Sequence, residues 1–320
     1  MIDVMEKKVL SGQTLTRGEA LDLAHVRDTE ALCRAANRIR RHFCGDAFDL
    51  CAIINGKSGR CSENCKYCAQ SICYAVPIRE YPLLEEDYLA AAAAAEWSAG
   101  VGRFSVVTAG RTLTESETEA VCQAYQAIGA ASGISCCASH GLLNYDQLCR
   151  LRAAGVRRYH CNLETCRRRF SLVCTTHTYD EKLHTLAAAR KAGLELCSGG
   201  IIGMGENMAD RIDLALELRG LQVDSVPLNV LTPIPGTPYE KIPLLSEEEV
   251  CRTAALFRFL LPQTVIRIAA GRGRMADKGA ALFRSGINGA ITGDMLTTAG
   301  ITVSADRAML AELGFQVTAL

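Results

Sequence analysis

The sequence predicts an α/β fold, a closed (β/α)8 barrel of the TIM type, behind an N-terminal helical extension. Two observations carry that expectation. Eight apolar, strand-like runs recur at intervals of roughly 23 to 50 residues, and helix-patterned segments lie between them. Strand alternating with helix eight times favours a closed barrel over an open doubly wound sheet. In order, the strand runs are 50–55, 103–108, 134–139, 156–162, 194–199, 224–231, 265–270 and 288–292. The helical patterns are 88–98, 115–131, 145–154, 179–192, 208–218 and 247–261. Residues 1–48 read as the helical extension and 49–320 as one barrel domain, since no linker divides the chain. The cluster Thr232-Pro-Ile-Pro-Gly-Thr-Pro238 reads as a loop on the barrel mouth after the sixth strand. Gly199-Gly-Ile-Ile-Gly-Met-Gly205 is only loosely a phosphate cradle, and close backbone approach to a ligand is the preferred reading over plain turn geometry.

Composition excludes whole classes of partner. Lys+Arg and Asp+Glu both number 35 in 320 residues, so no global charge draws the chain to nucleic acid or to a membrane. The runs Arg38-Ile-Arg-Arg-His42 and Arg167-Arg-Arg169 read as solvated faces. Sixteen cysteines, without an apolar signal core or a run of membrane-spanning length, point to a reducing, cytoplasmic, oxygen-poor setting. Cys33, Cys44, Cys122, Cys149 and Cys251 fall in helical patterns, where a cysteine is usually a small apolar residue.

Three cysteines stand apart. Cys61, Cys65 and Cys68 follow the spacing C-x3-C-x2-C. Three thiolates hold three irons of a cubane and leave the fourth open, whereas electron carriers close their clusters with a fourth cysteine. An open iron is what a radical S-adenosylmethionine enzyme needs to chelate the methionine amino and carboxylate groups. Zinc or another cluster is the alternative for this spacing, and Cys73 is the one nearby thiol able to substitute.

Strand alternation then decides which side chains face the barrel interior. In the third strand Ile134 belongs against the helices, which turns Cys137 inward and Cys136 away. His160 and Asn162 share one face of the fourth strand and Cys161 takes the other. Leu194 and Leu196 belong outside, so Cys197 points in; Val226, Leu228 and Val230 send Asn229 in; Ile266 and Ile268 send Arg267 in. A buried guanidinium calls for an anion or a metal cluster's ligands, with a core carboxylate as the structural alternative.

These residues together resemble the biotin synthase family. The resemblance rests on the cysteine triplet, Asn162-Leu-Glu-Thr165, Cys174-Thr-Thr-His-Thr-Tyr179, Cys197-Ser-Gly-Gly-Ile201, Ser225-Val-Pro-Leu-Asn229, Pro235-Gly-Thr-Pro238 and Arg267-Ile-Ala-Ala-Gly-Arg272, in the family's order from Leu50 to Thr298. It implies S-adenosylmethionine bound at the open iron of a 4Fe-4S cluster, cleaved to methionine and a 5′-deoxyadenosyl radical. That radical takes hydrogen from carbons 9 and 6 of dethiobiotin, and an auxiliary iron-sulfur cluster gives up sulfur to close the ring. Carried onto this chain, Asn162 and Glu164 hold the ribose, Tyr67 lies near adenine, and Lys182 and Ile201 belong to the S-adenosylmethionine site. His160, Asn162 and Asn229 contact substrate, Asn229 at the ureido group, and Thr297 and Thr298 bind its carboxylate tail. Cys137, Cys197 and Arg267 match auxiliary-cluster ligands.

Four positions depart from the better-known pattern. Glu164 replaces an aspartate, Lys182 an arginine and His160 an asparagine, while Ser105 stands where a third auxiliary cysteine is usual. Lysine pairs with a carboxylate as a point charge without the bidentate fork. Cys174, in the loop after the fourth strand, is therefore expected to join Cys137 and Cys197 as the third auxiliary thiolate, with Cys166 next in line. The expected auxiliary cluster is a four-iron form with an extra sulfide, the alternative being 2Fe-2S. A flavodoxin- or ferredoxin-type electron donor and a homodimer follow by analogy. The rival readings are a hydrogenase-maturase-like or methylornithine-synthase-like enzyme, and an iron-sulfur carrier or scaffold.

Overall fold

The computed structural model describes residues 1–296 and 300–318. Three helices open the chain: α1 (Ile2–Leu10), α2 (Arg17–Ala24) and α3 (Thr29–Cys44). Thr16 and Glu19 form a reciprocal capping box that starts α2, and Asp28 caps α3. The apolar stripe Leu32, Ala35, Ala36 and Ile39 of α3 is fully buried. The run 38–42 is not the uniformly solvated face its charges suggest. Arg40 is buried, its guanidinium 4.5 Å from the Phe315 ring centroid, because the helix turns that one position toward the barrel's underside.

The barrel begins with β1 (Ala47–Lys57), so Phe48 belongs to a strand. It continues α4 (Glu86–Ser98), β2 (Arg103–Thr108), α5 (Glu115–Ala131), β3 (Ser135–Ser139), α6 (Tyr145–Ala153) and β4 (Val156–His160). Next come α7 (Arg167–Val173), α8 (Tyr179–Lys191), β5 (Glu195–Cys197), β6 (Gly200–Ile202), α9 (Met208–Gly220), β7 (Ser225–Val230) and α10 (Glu247–Leu260). The chain ends with β8 (Val265–Ile268), α11 (Ala280–Phe283), β9 (Gly289–Thr292), α12 (Val303–Glu312) and β10 (Gln316–Val317). Every ladder is parallel, and pairing of β1 with β9 closes the ring. Because β5 and β6 share the fifth position, the closed barrel has eight strand positions. This is the predicted (β/α)8 architecture. No helix among the described residues is long and apolar enough to cross a membrane.

Capping explains where the barrel helices start. Thr114 with Glu117, Asn144 with Gln147, Thr178 with Glu181 and Asn207 with Asp210 form capping boxes at α5, α6, α8 and α9. Each cap satisfies orphan amide donors, typically worth about 1 kcal/mol. Sequence periodicity missed the two-turn α7. Its three leading arginines read as a solvated run, whereas Phe170 and Val173 are buried on its inner face.

Alternation within the strands behaves as expected. Cys136, Leu196, Val226, Leu228, Ile266 and Ile268 join the core between strands and helices. Cys137, His160, Asn162, Cys197, Asn229 and Arg267 line the barrel cavity instead.

Candidate functional site

The cysteine triplet lies on the loop that leaves β1, folded by its own backbone. Cys68 N donates to Cys65 O at 3.0 Å, Cys61 N to Gln70 O at 3.0 Å, and Ile72 N to Cys61 O at 2.9 Å. The loop is pinned to the segment after α7: Lys66 N donates to Val173 O at 3.0 Å, and Asn64 Oδ1 accepts from Thr175 N at 2.9 Å. Cys61, Cys65 and Cys68 line one side of a cavity of about 190 Å³, with Asn162, Glu164 and Lys182 on the other. Three thiols at one cavity wall, facing a carboxylate, an amide and a cation, suit an iron-sulfur cluster with an amino-acid ligand beside it.

The opposite wall is built by an unusual backbone. Glu164 has φ +68°, and Glu164 N donates to Gly199 O at 3.1 Å while Ile201 N donates to Glu164 O at 2.8 Å. A Cβ at Gly199 would lie 2.0 Å from Pro227 O, and one at Gly200 2.5 Å from Glu164 O. The close approach that Gly199 and Gly200 permit is thus to protein backbone. Asn162 Oδ1 accepts from Gly199 N at 2.9 Å, and its Nδ2 lies 3.4 Å from Glu164 Oε2. Lys182 Nζ stands 3.9 Å from Glu164 Oε1. Burial would lower the Lys182 pKa, but Cys161, Glu164 and the cysteines around it raise it, so the ammonium stays charged. Burial first, then the charge of the Glu164 carboxylate, push the pKa of the Tyr67 hydroxyl up.

Deeper in the barrel lies a cavity of about 310 Å³, which shares Tyr67, Cys68, His160, Asn162 and Glu164 with the first. Its floor is charged. Asp49, fully buried, accepts from Arg267 Nη2 at 2.7 Å, with Arg103 Nε at 3.4 Å and Arg158 Nη1 at 3.5 Å from the same oxygen. Arg267 therefore meets the core carboxylate that was its structural alternative, and it also carries its charge toward Cys51, Cys197 and Cys137. Arg103 Nη1 reaches the Cys137 thiol at 3.8 Å, and His160 Nδ1 the Cys197 thiol at 3.3 Å. Burial alone would raise the Cys137 pKa, yet the neighbouring Cys51 thiol and the three guanidinium charges hold it below its ordinary value. Burial holds His160 neutral, at about 4.

Cys174 is not part of this floor. Its sulfur lies 3.3 Å from His177 Nδ1 and 3.4 Å from Asn64 Oδ1, and the donor atoms of Cys65, Cys174 and His177 all fall within 4.8 Å of one another. This corrects its expected place beside Cys137 and Cys197. The physical reason is α7, which carries the chain back over the cluster loop before Cys174 is reached. Cys166 is equally remote from the floor, its thiol bonded to Asp210 at 3.2 Å.

Asn229 lines the cavity with its polar atoms engaged, Oδ1 accepting from Ala270 N at 3.1 Å and Nδ2 donating to Gly200 O at 3.3 Å. Thr297 and Thr298 lie outside the described residues. Sequence reasoning missed Cys51. The signal was present: in Asp49-Leu-Cys-Ala-Ile53, Leu50 and Ala52 belong to the outer core, which turns Asp49, Cys51 and Ile53 inward.

Comparison with known proteins places this geometry. Residues 57–218 match the Radical SAM superfamily and residues 227–316 the Biotin and Thiamin Synthesis associated domain. The chain is 54% identical to the biotin synthase of Akkermansia muciniphila, over 97% of this chain and 96% of that protein. It is 53% identical to a biotin synthase of Clostridium botulinum, over 99% of each. Among solved structures, methylornithine synthase superposes with a TM-score of 0.84 over 98% of this chain and 97% of its own, at 18% identity. The FeFe-hydrogenase maturase HydG of Carboxydothermus hydrogenoformans gives 0.85 over 99% and 79%, at 17% identity. Those two share the fold alone.

Proposed function

This chain belongs to the biotin synthase family of radical S-adenosylmethionine enzymes, and from that premise we propose how its residues divide the work of inserting sulfur into dethiobiotin. Bound at the two sites, a 4Fe-4S cluster with S-adenosylmethionine supplies the 5′-deoxyadenosyl radical, and an auxiliary iron-sulfur cluster supplies the sulfur. Cys61, Cys65 and Cys68 hold the first cluster. Asn162 and Glu164 orient the ribose, Tyr67 and Ile201 flank the adenosyl group, and Lys182 offers its buried charge to the methionine carboxylate. Cys137, Cys197 and Arg267 belong to the auxiliary site, which we read as the four-iron form with an extra sulfide.

The observation that carries this division is the shared wall of the two cavities. Tyr67, Cys68 and Asn162 border both, so a substrate between them touches the adenosyl side and the sulfur side at once. His160 on that wall and Asn229 on the inner cavity are proposed as substrate contacts, and Thr297 and Thr298 for the carboxylate tail. Charge neutrality overall fits a small-molecule substrate, and a small electron-donor protein of the flavodoxin or ferredoxin type, a homodimer and a cytoplasmic location complete the reading.

The test is anaerobic reconstitution with iron, sulfide, S-adenosylmethionine, a reductant and dethiobiotin. Biotin and 5′-deoxyadenosine form together. Formation of 5′-deoxyadenosine without any sulfur in the dethiobiotin product would overturn the assignment.

A further inference from the structure

Ser105 raises a question the proposed chemistry leaves open, namely where the third thiolate of the auxiliary site comes from. A serine hydroxyl is a hard, neutral donor and a poor substitute for thiolate on iron. Ser105 pairs in register with Cys137 on β3 and Ile53 on β1, so the serine occupies the row beside Cys137. One inward position back along β1 stands Cys51, in register with Arg103.

Four cysteines line the inner cavity among the described residues: Cys68, which belongs to the triplet, and Cys51, Cys137 and Cys197. Cys51 on β1 and Cys137 on β3 open into this one cavity from either side of the intervening β2. Arg267 is in electrostatic contact with all three inner cysteines. Packing does not account for a cysteine here. A cysteine serving as a small apolar residue belongs on the strand face turned to the helices, as Cys136 and Cys161 are. Cys51 instead faces the floor where Arg103, Arg158 and Arg267 converge on Asp49. Such a concentration of guanidinium groups favours thiolates and the anionic cluster they would hold.

Resting on the biotin synthase reading above, we infer that Cys51 on β1 is the third protein thiolate of the auxiliary cluster, joining Cys137 and Cys197 and replacing the thiolate that Ser105 cannot supply. The ligand has moved to the neighbouring strand. Barrel stagger makes that exchange possible, since inward residues one position apart on adjacent strands reach the same interior layer.

The experiment is iron and sulfide analysis with Mössbauer spectroscopy on anaerobically reconstituted full-length protein, comparing the parent with Cys51→Ala, Cys136→Ala and the double variant Cys51→Ala/Ser105→Cys. Cys51→Ala loses the iron, sulfide and spectrum of the auxiliary cluster while it still cleaves S-adenosylmethionine to 5′-deoxyadenosine, which also shows that the barrel has folded. Cys136→Ala retains both clusters. The double variant regains auxiliary iron with an altered spectrum. A Cys51→Ala protein with the parent's full cluster content and spectrum would overturn the inference. A parent protein with one cluster only would instead overturn the function it rests on. Should Cys51→Ala fail to fold, Cys51→Ser serves: loss of the auxiliary spectrum supports the inference and retention of the parent spectrum overturns it.

Discussion

The two cysteine groups are held in opposite ways. The triplet sits half-buried on a loop shaped largely by its own backbone hydrogen bonds, and all three cysteines fall within the twelve successive residues from Gly59 to Gln70. The inner group, Cys51, Cys137 and Cys197, is buried on three separate strands and meets only because the barrel closes. One site is local in sequence and the other is assembled by topology. The comparison teaches that a loop site is damaged residue by residue, whereas a barrel-floor site depends on the charges and packing of the whole core.

The sharpest test of that contrast is removal of a loop cysteine. Cys65→Ala or Cys68→Ala should abolish 5′-deoxyadenosine formation, measured chromatographically, while auxiliary iron remains. Loss of both clusters would show that the sites are not independent.

On the floor, Asp49→Asn removes the carboxylate that faces three guanidinium groups. Breaking a buried pair in this way destabilises by about 3–5 kcal/mol, read from urea unfolding of the cluster-free protein. A loss under about 1 kcal/mol would place the compensating charge elsewhere.

Behind the floor, Tyr125 donates to Cys137 O at 3.0 Å and shares a 3.0 Å bond with His140, whose other ring nitrogen meets Thr108. Burial holds His140 down at about 3, below its ordinary 6.5. The unfolded chain therefore binds the extra proton, and the stability tied to neutral His140 is full above pH 6.5 and lost as pH falls toward 3. His140→Gln should flatten the fall in unfolding free energy across that window. An unchanged slope would assign the acid sensitivity to other groups.

In the inner cavity, Asn229→Ala should weaken dethiobiotin binding by about 1–3 kcal/mol. Because Asn229 also bridges Ala270 N and Gly200 O, unfolding free energy should drop as well. Equal losses for dethiobiotin and S-adenosylmethionine would mark its role as structural alone. The smallest effect belongs to Cys174→Ala, which should leave auxiliary iron and sulfide unchanged, since its sulfur stands by Cys65. Loss of the auxiliary spectrum would return Cys174 to the floor.

Much of this was legible in the chain. Strand alternation has a period of two, so the outer faces marked by Leu196, Val226 and Ile266 were enough to turn Cys197, Asn229 and Arg267 inward. The triplet's spacing carried its chemistry without any structure. What the sequence left open was contact between segments far apart in the chain. Nothing local says that Cys51 and Cys137, 86 residues apart, line one cavity, because strand stagger around a closed barrel decides it. Nor does spacing say that α7 returns Cys174 to Cys65, which rests on Lys66 and Asn64 bonding the segment 173–176. Local patterns fix conformation and facing because each residue's own geometry sets them; which distant side chains meet is set by chain closure and packing, and only the folded barrel decides that.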